Sequence, residues 1–204
     1  YAREIPFSYP AREVPDLTRN IERHYSDPSR KMIEWARRYL LEAGTPPETE
    51  QFLRLLTAAI KEEFKYAERH EPGVQTPLET LDRRSGTCRD FAVFMMEAVR
   101  SVGLAARFVS GYLYDPAIND GAAKVLGGGA THAWVQVYLP GAGWIEFDPT
   151  NGVLGGHNLV PVAVARTPAQ AIPISGTYEG PGDAFVGMDV EVIVQLVESE
   201  NTVV

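Results

Sequence analysis

Ser85-Gly86-Thr87-Cys88-Arg89-Asp90-Phe91-Ala92 is the stretch from which the rest of the chain can be read. Thr87 and Asp90 stand at i and i+3, a variant of the capping box with Asp in place of Glu, so a helix starts directly after Thr87. Phe91, Ala92, Met95, Met96 and Val99 follow at helical spacing, the helix runs to about Ser101, and Gly103 ends it. Cys88 therefore falls in the first turn, where free backbone N–H groups and the helix dipole stabilise a thiolate. It is the single cysteine of 204 residues, which excludes an intrachain disulfide and a Cys-rich zinc site. Cys88 is thus either a small buried hydrophobe or a reagent.

Upstream, the punctuation predicts three helices. Asp27 is the candidate N-cap and Pro28 the first residue of a helix carrying Met32, Ile33, Ala36, Tyr39, Leu40 and Ala43, with Gly44 at its end. A second helix after Thr45-Pro46-Pro47 carries Phe52, Leu55, Leu56, Ala59 and Ile60 and ends near Phe64-Lys65-Tyr66. Thr76-Pro77 starts a short third helix with Leu78 and Leu81. Residues 1–16, with Pro6, Pro10 and Pro15, read as an extended lead-in.

Beyond Gly103 the apolar period changes from 3.6 to 2. Ala106–Tyr114, Thr131–Leu139, Trp144–Asp148, Val160–Ala165 and Val190–Val197 are the expected strands. Residues 119–130 are rich in Gly and Ala and read as a loop; Gly127-Gly128-Gly129 within it is a candidate lid, a plain flexible loop being the competing reading. Helices first and strands later is the α+β signature.

A nucleophilic thiol needs a base and a group to orient that base. His24, His70 and His157 lie in polar or Gly-rich segments and read as surface residues. His132 opens an alternating strand. His132, Trp134, Gln136 and Tyr138 share one face, and Ala133, Val135, Val137 and Leu139 share the other, which we expect to be the buried one. On the next strand Trp144, Glu146 and Asp148 share a face. If the connecting loop has three or five residues, 138 pairs with 144, Trp134 faces Asp148, and His132 lies diagonal to Asp148 on the same face, within reach of a hydrogen bond. A four-residue loop would place them on opposite faces.

Composition bounds the remaining classes. The formal charge of -8 argues against a general nucleic-acid binder, and residues 151–204, with one basic and six acidic side chains, carry most of it. No apolar run approaches the ~20 residues that cross a bilayer, and no signal peptide is visible, so a cytoplasmic location is expected. The scattered histidines suggest no metal site.

The block quoted at the start, with Thr131-His132-Ala133-Trp134-Val135 and Gly143-Trp144-Ile145-Glu146-Phe147-Asp148-Pro149-Thr150-Asn151-Gly152, resembles the transglutaminase-like superfamily, in particular its prokaryotic group of predicted cysteine proteases. The resemblance covers about residues 28–165. It implies a papain-like core, with a nucleophile helix packed on an antiparallel sheet, and a triad of Cys88, His132 and Asp148. It also implies a catalytic domain over 17–204; many prokaryotic members carry a β-sandwich domain before the core, and 1–16 leave room for no more than its end. Animal transglutaminases carry a Trp two places along from their Gly-Gln-Cys, where this chain has Gly86-Thr87-Cys88-Arg89-Asp90, and the chain has no room for their calcium-binding and flanking β domains. Calcium-dependent crosslinking is therefore not expected.

The chemistry implied is acyl transfer through a thioester on a peptide or protein substrate, without a cofactor. The backbone N–H of Cys88 and the side chain of Tyr66 are candidate oxyanion donors. Trp134, Tyr112 and Tyr114 are candidate pocket walls, ordinary packing being the favoured competing reading for each. Arg89 is expected to point to solvent. Hydrolysis is favoured; transfer from glutamine to an amine and a non-catalytic peptide-binding module are the alternatives.

Overall fold

In the computed structural model, which describes residues 2–69, 71, 73–114, 131–172, 176–177, 179–184 and 186–187, helices precede strands along the chain. The helices are α1 (Val14–Ile21), α2 (Lys31–Glu42), α3 (Thr49–Glu63), α4 (Pro77–Arg83) and α5 (Cys88–Ser101). Two short strands, β1 (Lys65–Tyr66) and β2 (Ser85–Gly86), pair in parallel and set Tyr66 beside Gly86, two residues before Cys88. A five-stranded antiparallel sheet comes next, built from β3 (Ala106–Leu113), β4 (Thr131–Leu139), β5 (Gly143–Asp148), β6 (Val153–Leu154) and β7 (Leu159–Ala165) in the order β6-β5-β4-β3-β7. This is the α+β arrangement that the order of elements predicts, and it has the helix packed on an antiparallel sheet that the resemblance implies for a papain-like core.

The α5 helix is the centre of the molecule. One side packs on Ala106, Phe108, Ala133, Val135 and Val137 of the sheet, and the other on aromatic residues of the helical layer. Phe94 meets Trp35 of α2 at 4.7 Å and Phe64 at 5.0 Å between ring centroids. A helix covered from two sides buries more than one stripe, so Val93, Phe94 and Ala98 are enclosed as fully as the predicted Ala92 and Val99. Even Glu97 and Arg100 are buried, paired at 2.9 Å. Arg100 also donates to the carbonyls of Asn20, Ala106 and Arg166, and Glu97 accepts from the backbone of His24 and Tyr25. The pair thereby ties the end of α1, the start of β3 and the end of β7 to the last turns of α5.

Several sequence expectations need correction. Residues 14–16 are not extended but open α1, and the segment before it is packed: Ile5 is buried, its N–H donates to Pro47 at 2.9 Å, and the Ala105 N–H donates to the Tyr9 hydroxyl at 2.7 Å. The α2 helix starts at Lys31, after Arg30 in a left-handed conformation, so Pro28 lies outside it. Asp27 nevertheless caps it from a distance, accepting from the N–H groups of Met32 and Ile33 at 3.2 and 3.4 Å. Finally, the face of β4 that carries His132 and Trp134 is not left to solvent. Val109, Leu113 and Leu159 bury Trp134 completely, so both faces of that strand end are covered. Val190–Val197, Gly127–Gly129 and His70 lie outside the described residues.

The β4–β5 connection decides whether His132 and Asp148 share a face. Leu139 pairs with Gly143 and Tyr138 with Trp144, leaving the three-residue loop 140–142. Gly141 and Gly143 take positive φ angles of 87° and 82°, which side-chain-bearing residues rarely adopt, and this lets an odd loop close.

Candidate active site

Local capping chemistry positions Cys88. The Thr87 hydroxyl accepts from the Asp90 N–H while the Asp90 carboxylate accepts from the Thr87 N–H at 2.8 Å, completing the predicted box. Asp90 does more than the sequence indicates. Its fully buried carboxylate also accepts from Arg69 through Nε (3.0 Å) and Nη2 (3.2 Å) and from the Gln75 N–H (2.7 Å). The segment after β1 is thus pinned to the helix start that presents the thiol. No local signal marks Arg69 as a partner, because it lies 21 residues away.

His132 and Asp148 meet across the β4–β5 ladder. The register brings Val135 opposite Phe147; one step further sets Trp134 beside Asp148 and leaves His132 diagonal to it. The His132 Nε2 lies 2.9 Å from Asp148 Oδ2, and both side chains are buried. Asp148 accepts three further hydrogen bonds from the adjoining turn: from the N–H of Thr150 (2.9 Å), the N–H of Asn151 (3.3 Å) and Asn151 Nδ2 (2.8 Å). Burial alone would raise the Asp148 pKa; the bonds from His132 and Asn151 outweigh it and hold the carboxyl below its usual range. Burial alone would lower the His132 pKa; the bond with Asp148 and the neighbouring Cys88 outweigh it and push it up to about 9. The imidazole stacks on Trp134 with ring centroids 6.1 Å apart, and its Nδ1 has no hydrogen-bond partner among the described residues.

Cys88 and His132 line one cavity of about 540 Å³ together with Tyr66, Arg89, Tyr112 and Thr131. Burial, and then the adjacent Cys88, raise the Tyr66 pKa above its ordinary value, so its hydroxyl remains a donor at neutral pH. Trp134 is not among the residues that line this cavity; its ring stacks on that of His132. Tyr114 also lies elsewhere, on a separate cavity of about 150 Å³ beside Asp148. Asn151 was not singled out from the sequence, although an Asn three residues after a strand-ending Asp, before a Gly, is a recognisable turn signal. Among the described residues no group of His, Cys, Asp or Glu could hold a metal ion, and no helix is long and apolar enough to cross a membrane.

The profile of the transglutaminase-like superfamily matches residues 34–149, more than half of the chain. The chain belongs to the transglutaminase-like superfamily. An uncharacterized protein of Mycobacterium tuberculosis is 33% identical over 149 residues, 70% of this chain and 47% of that protein. A protein-glutamine gamma-glutamyltransferase of Pseudomonas aeruginosa is 36% identical over 70 residues, 34% of this chain and 10% of that protein. A solved structure from Cytophaga hutchinsonii, described as a candidate cysteine protease, shares the fold with a TM-score of 0.55 and 20% identity, over 83% of this chain and 53% of that one. This superfamily member thus spans about half or less of the length of these relatives.

Proposed function

We propose that the protein is a cysteine-dependent acyl-transfer enzyme that hydrolyses a peptide or amide bond through a thioester. The observation that carries this reading is that Cys88 shares a cavity with a buried His132 whose one ring nitrogen is held by Asp148 and whose other has no hydrogen-bond partner among the described residues. With its pKa near 9, His132 is protonated at neutral pH, and Asp148 supports that charge. An imidazolium beside Cys88 and the N-terminus of α5 stabilises the thiolate.

The thiolate attacks the carbonyl carbon, and the carbonyl π electrons move to oxygen. The Cys88 N–H and the Tyr66 hydroxyl are the donors we assign to that oxyanion. As the tetrahedral adduct collapses, His132 gives its proton to the departing amine, leaving the acyl group on sulfur. Neutral His132 then takes a proton from water as the water attacks the thioester, and collapse releases the carboxylic acid and regenerates the thiolate–imidazolium pair. An amine in place of water would give an amide product instead, the reaction named for the Pseudomonas relative.

The test is labelling of Cys88 by a thiol probe at neutral pH, combined with assays on peptide and glutamine amides. Rapid labelling, and hydrolysis that Cys88→Ala abolishes while the fold persists, are expected. Incorporation of an amine in preference to hydrolysis would assign a transferase. No selective labelling of Cys88 would assign a non-catalytic module.

A further inference from the structure

Arg89 follows Cys88 in the first turn of α5, and it does not simply point to solvent: it is half-buried and lines the same cavity as Cys88 and His132. Among the described residues its buried Nε has no hydrogen-bond partner, and no carboxylate among them stands in an ion pair with it, the cavity's ion pairs being those of Arg69. The other arginine of the cavity is engaged, since Arg69 holds Asp90 through two nitrogens and Glu71 at 3.7 Å. Asp90, next in sequence, is already saturated by Arg69, Gln75 and Thr87. The two glutamates of the cavity, Glu68 and Glu71, are exposed at its rim, where water screens them. A buried N–H without an acceptor is costly, and a bound anion supplies the acceptor.

We propose that Arg89 is a specificity-determining residue that receives a carboxylate of the substrate close to the scissile carbonyl. The substrate class is then an acyl donor that carries an anionic group, read by the planar fork of the guanidinium, which matches a carboxylate through two parallel hydrogen bonds. Cys88 and Arg89 line the same cavity, so one ligand in it can meet both thiol and guanidinium. This inference rests on Cys88 being the nucleophile, as proposed above.

Two haloacetyl reagents test it without knowledge of the natural substrate. Iodoacetate and iodoacetamide deliver the same carbon to sulfur and both expel iodide, but only the first carries a carboxylate. Any attraction of iodoacetate to the His132 imidazolium is shared by all Arg89 variants, so the change in the ratio of the two rate constants isolates Arg89. The iodoacetate-to-iodoacetamide ratio is expected to fall about threefold or more in Arg89→Gln and to fall less in Arg89→Lys, which keeps the charge. A parent protein that reacts with both reagents and whose ratio is unchanged in Arg89→Gln overturns the inference alone. A parent whose Cys88 reacts with neither overturns the nucleophile and the inference with it.

A second measurement needs no variant. N-acetylglutamate α-amide, N-acetylglutamine and N-acetylglutamine amide carry a side-chain carboxylate, an α-carboxylate and none. Protection of Cys88 from iodoacetamide by the first or the second, but not the third, supports the inference and says whether an acidic side chain or a free chain terminus is read. Equal protection by all three, or by none, overturns it.

Discussion

His132 Nε2 and Asp148 Oδ2 lie 2.9 Å apart although the two residues are diagonal, not opposite, on neighbouring antiparallel strands. The bond exists because the β4–β5 loop has an odd number of residues, which keeps both side chains on one face of the sheet. It also makes the pair sensitive to pH from both sides. In the folded chain the His132 pKa is raised from 6.5 to about 9, so its contribution to stability is complete below about 6.5 and is lost as pH rises through about 9. The Asp148 pKa is lowered from 3.8, so its contribution is present above that value and is lost as pH falls through the lower folded one. Thermal unfolding followed from about pH 5 to about pH 10 should show a steeper loss on the alkaline side in the parent than in His132→Gln. Parallel curves would count against the raised pKa.

Asp148→Asn keeps the shape of the acceptor but removes the charge that supports the imidazolium. Turnover is expected to fall by ~100-fold or more, by the logic of a misoriented or wrongly protonated histidine, with slower alkylation of Cys88 at neutral pH. An Asp148→Asn protein with parental rates would remove Asp148 from the mechanism.

Asn151 donates to the same carboxylate oxygen that meets His132, at 2.8 Å. Asn151→Ala is expected to lower turnover by ~10-fold, the scale of one hydrogen bond to a charged group. Asn151→Asp should be worse, since it sets a second negative charge against Asp148. The alkaline limb of the rate profile reads this directly: if Asn151 acts through the His132–Asp148 pair, the limb should move to higher pH in Asn151→Asp, whose added negative charge favours the imidazolium, and it should stay in place if the role of Asn151 is only to shape the turn.

Gly111 sits opposite His132 on β3, where a methyl group would approach the Val160 carbonyl oxygen to 2.1 Å and the Trp134 ring to 2.8 Å. Gly111→Ala must therefore push β7 or Trp134 aside, at about 1–3 kcal/mol of overpacking. Denaturant unfolding measures the loss, and a shift in Trp fluorescence should accompany it. An unchanged midpoint would show that the strand yields freely.

Breaking the Glu97–Arg100 pair tests the far end of α5. Glu97→Ala leaves a buried guanidinium uncompensated and removes the acceptor for the His24 and Tyr25 N–H groups, for an expected loss of about 3–5 kcal/mol. Urea unfolding is the measurement, and a loss below about 1 kcal/mol would mean that water reaches the site.

Local chemistry made much of this legible in the chain. Capping is a matter of residues three apart, so Thr87 and Asp90 announce the helix start and put Cys88 in its first turn. Strand alternation is equally local, so it assigns His132 and Asp148 each to a face of its own strand. Loop parity was open, and only the closed hairpin, with Gly141 and Gly143 at positive φ, decided that the two faces coincide. Burial on the second face of β4 was not legible, because Val109, Leu113 and Leu159, which cover Trp134, come from other strands. The direction of long polar side chains was hidden for the same reason. Arg69 reaches Asp90, and Arg89 turns toward the cavity, under constraints set by segments distant in sequence. By itself the sequence determined on which element, and on which face of it, each candidate residue stands, since helix starts and strand faces obey short-range rules. Tertiary structure alone decided which of them meet, what supports them, and which charge is left without a partner among the described residues, since those depend on contacts between elements that the sequence keeps far apart.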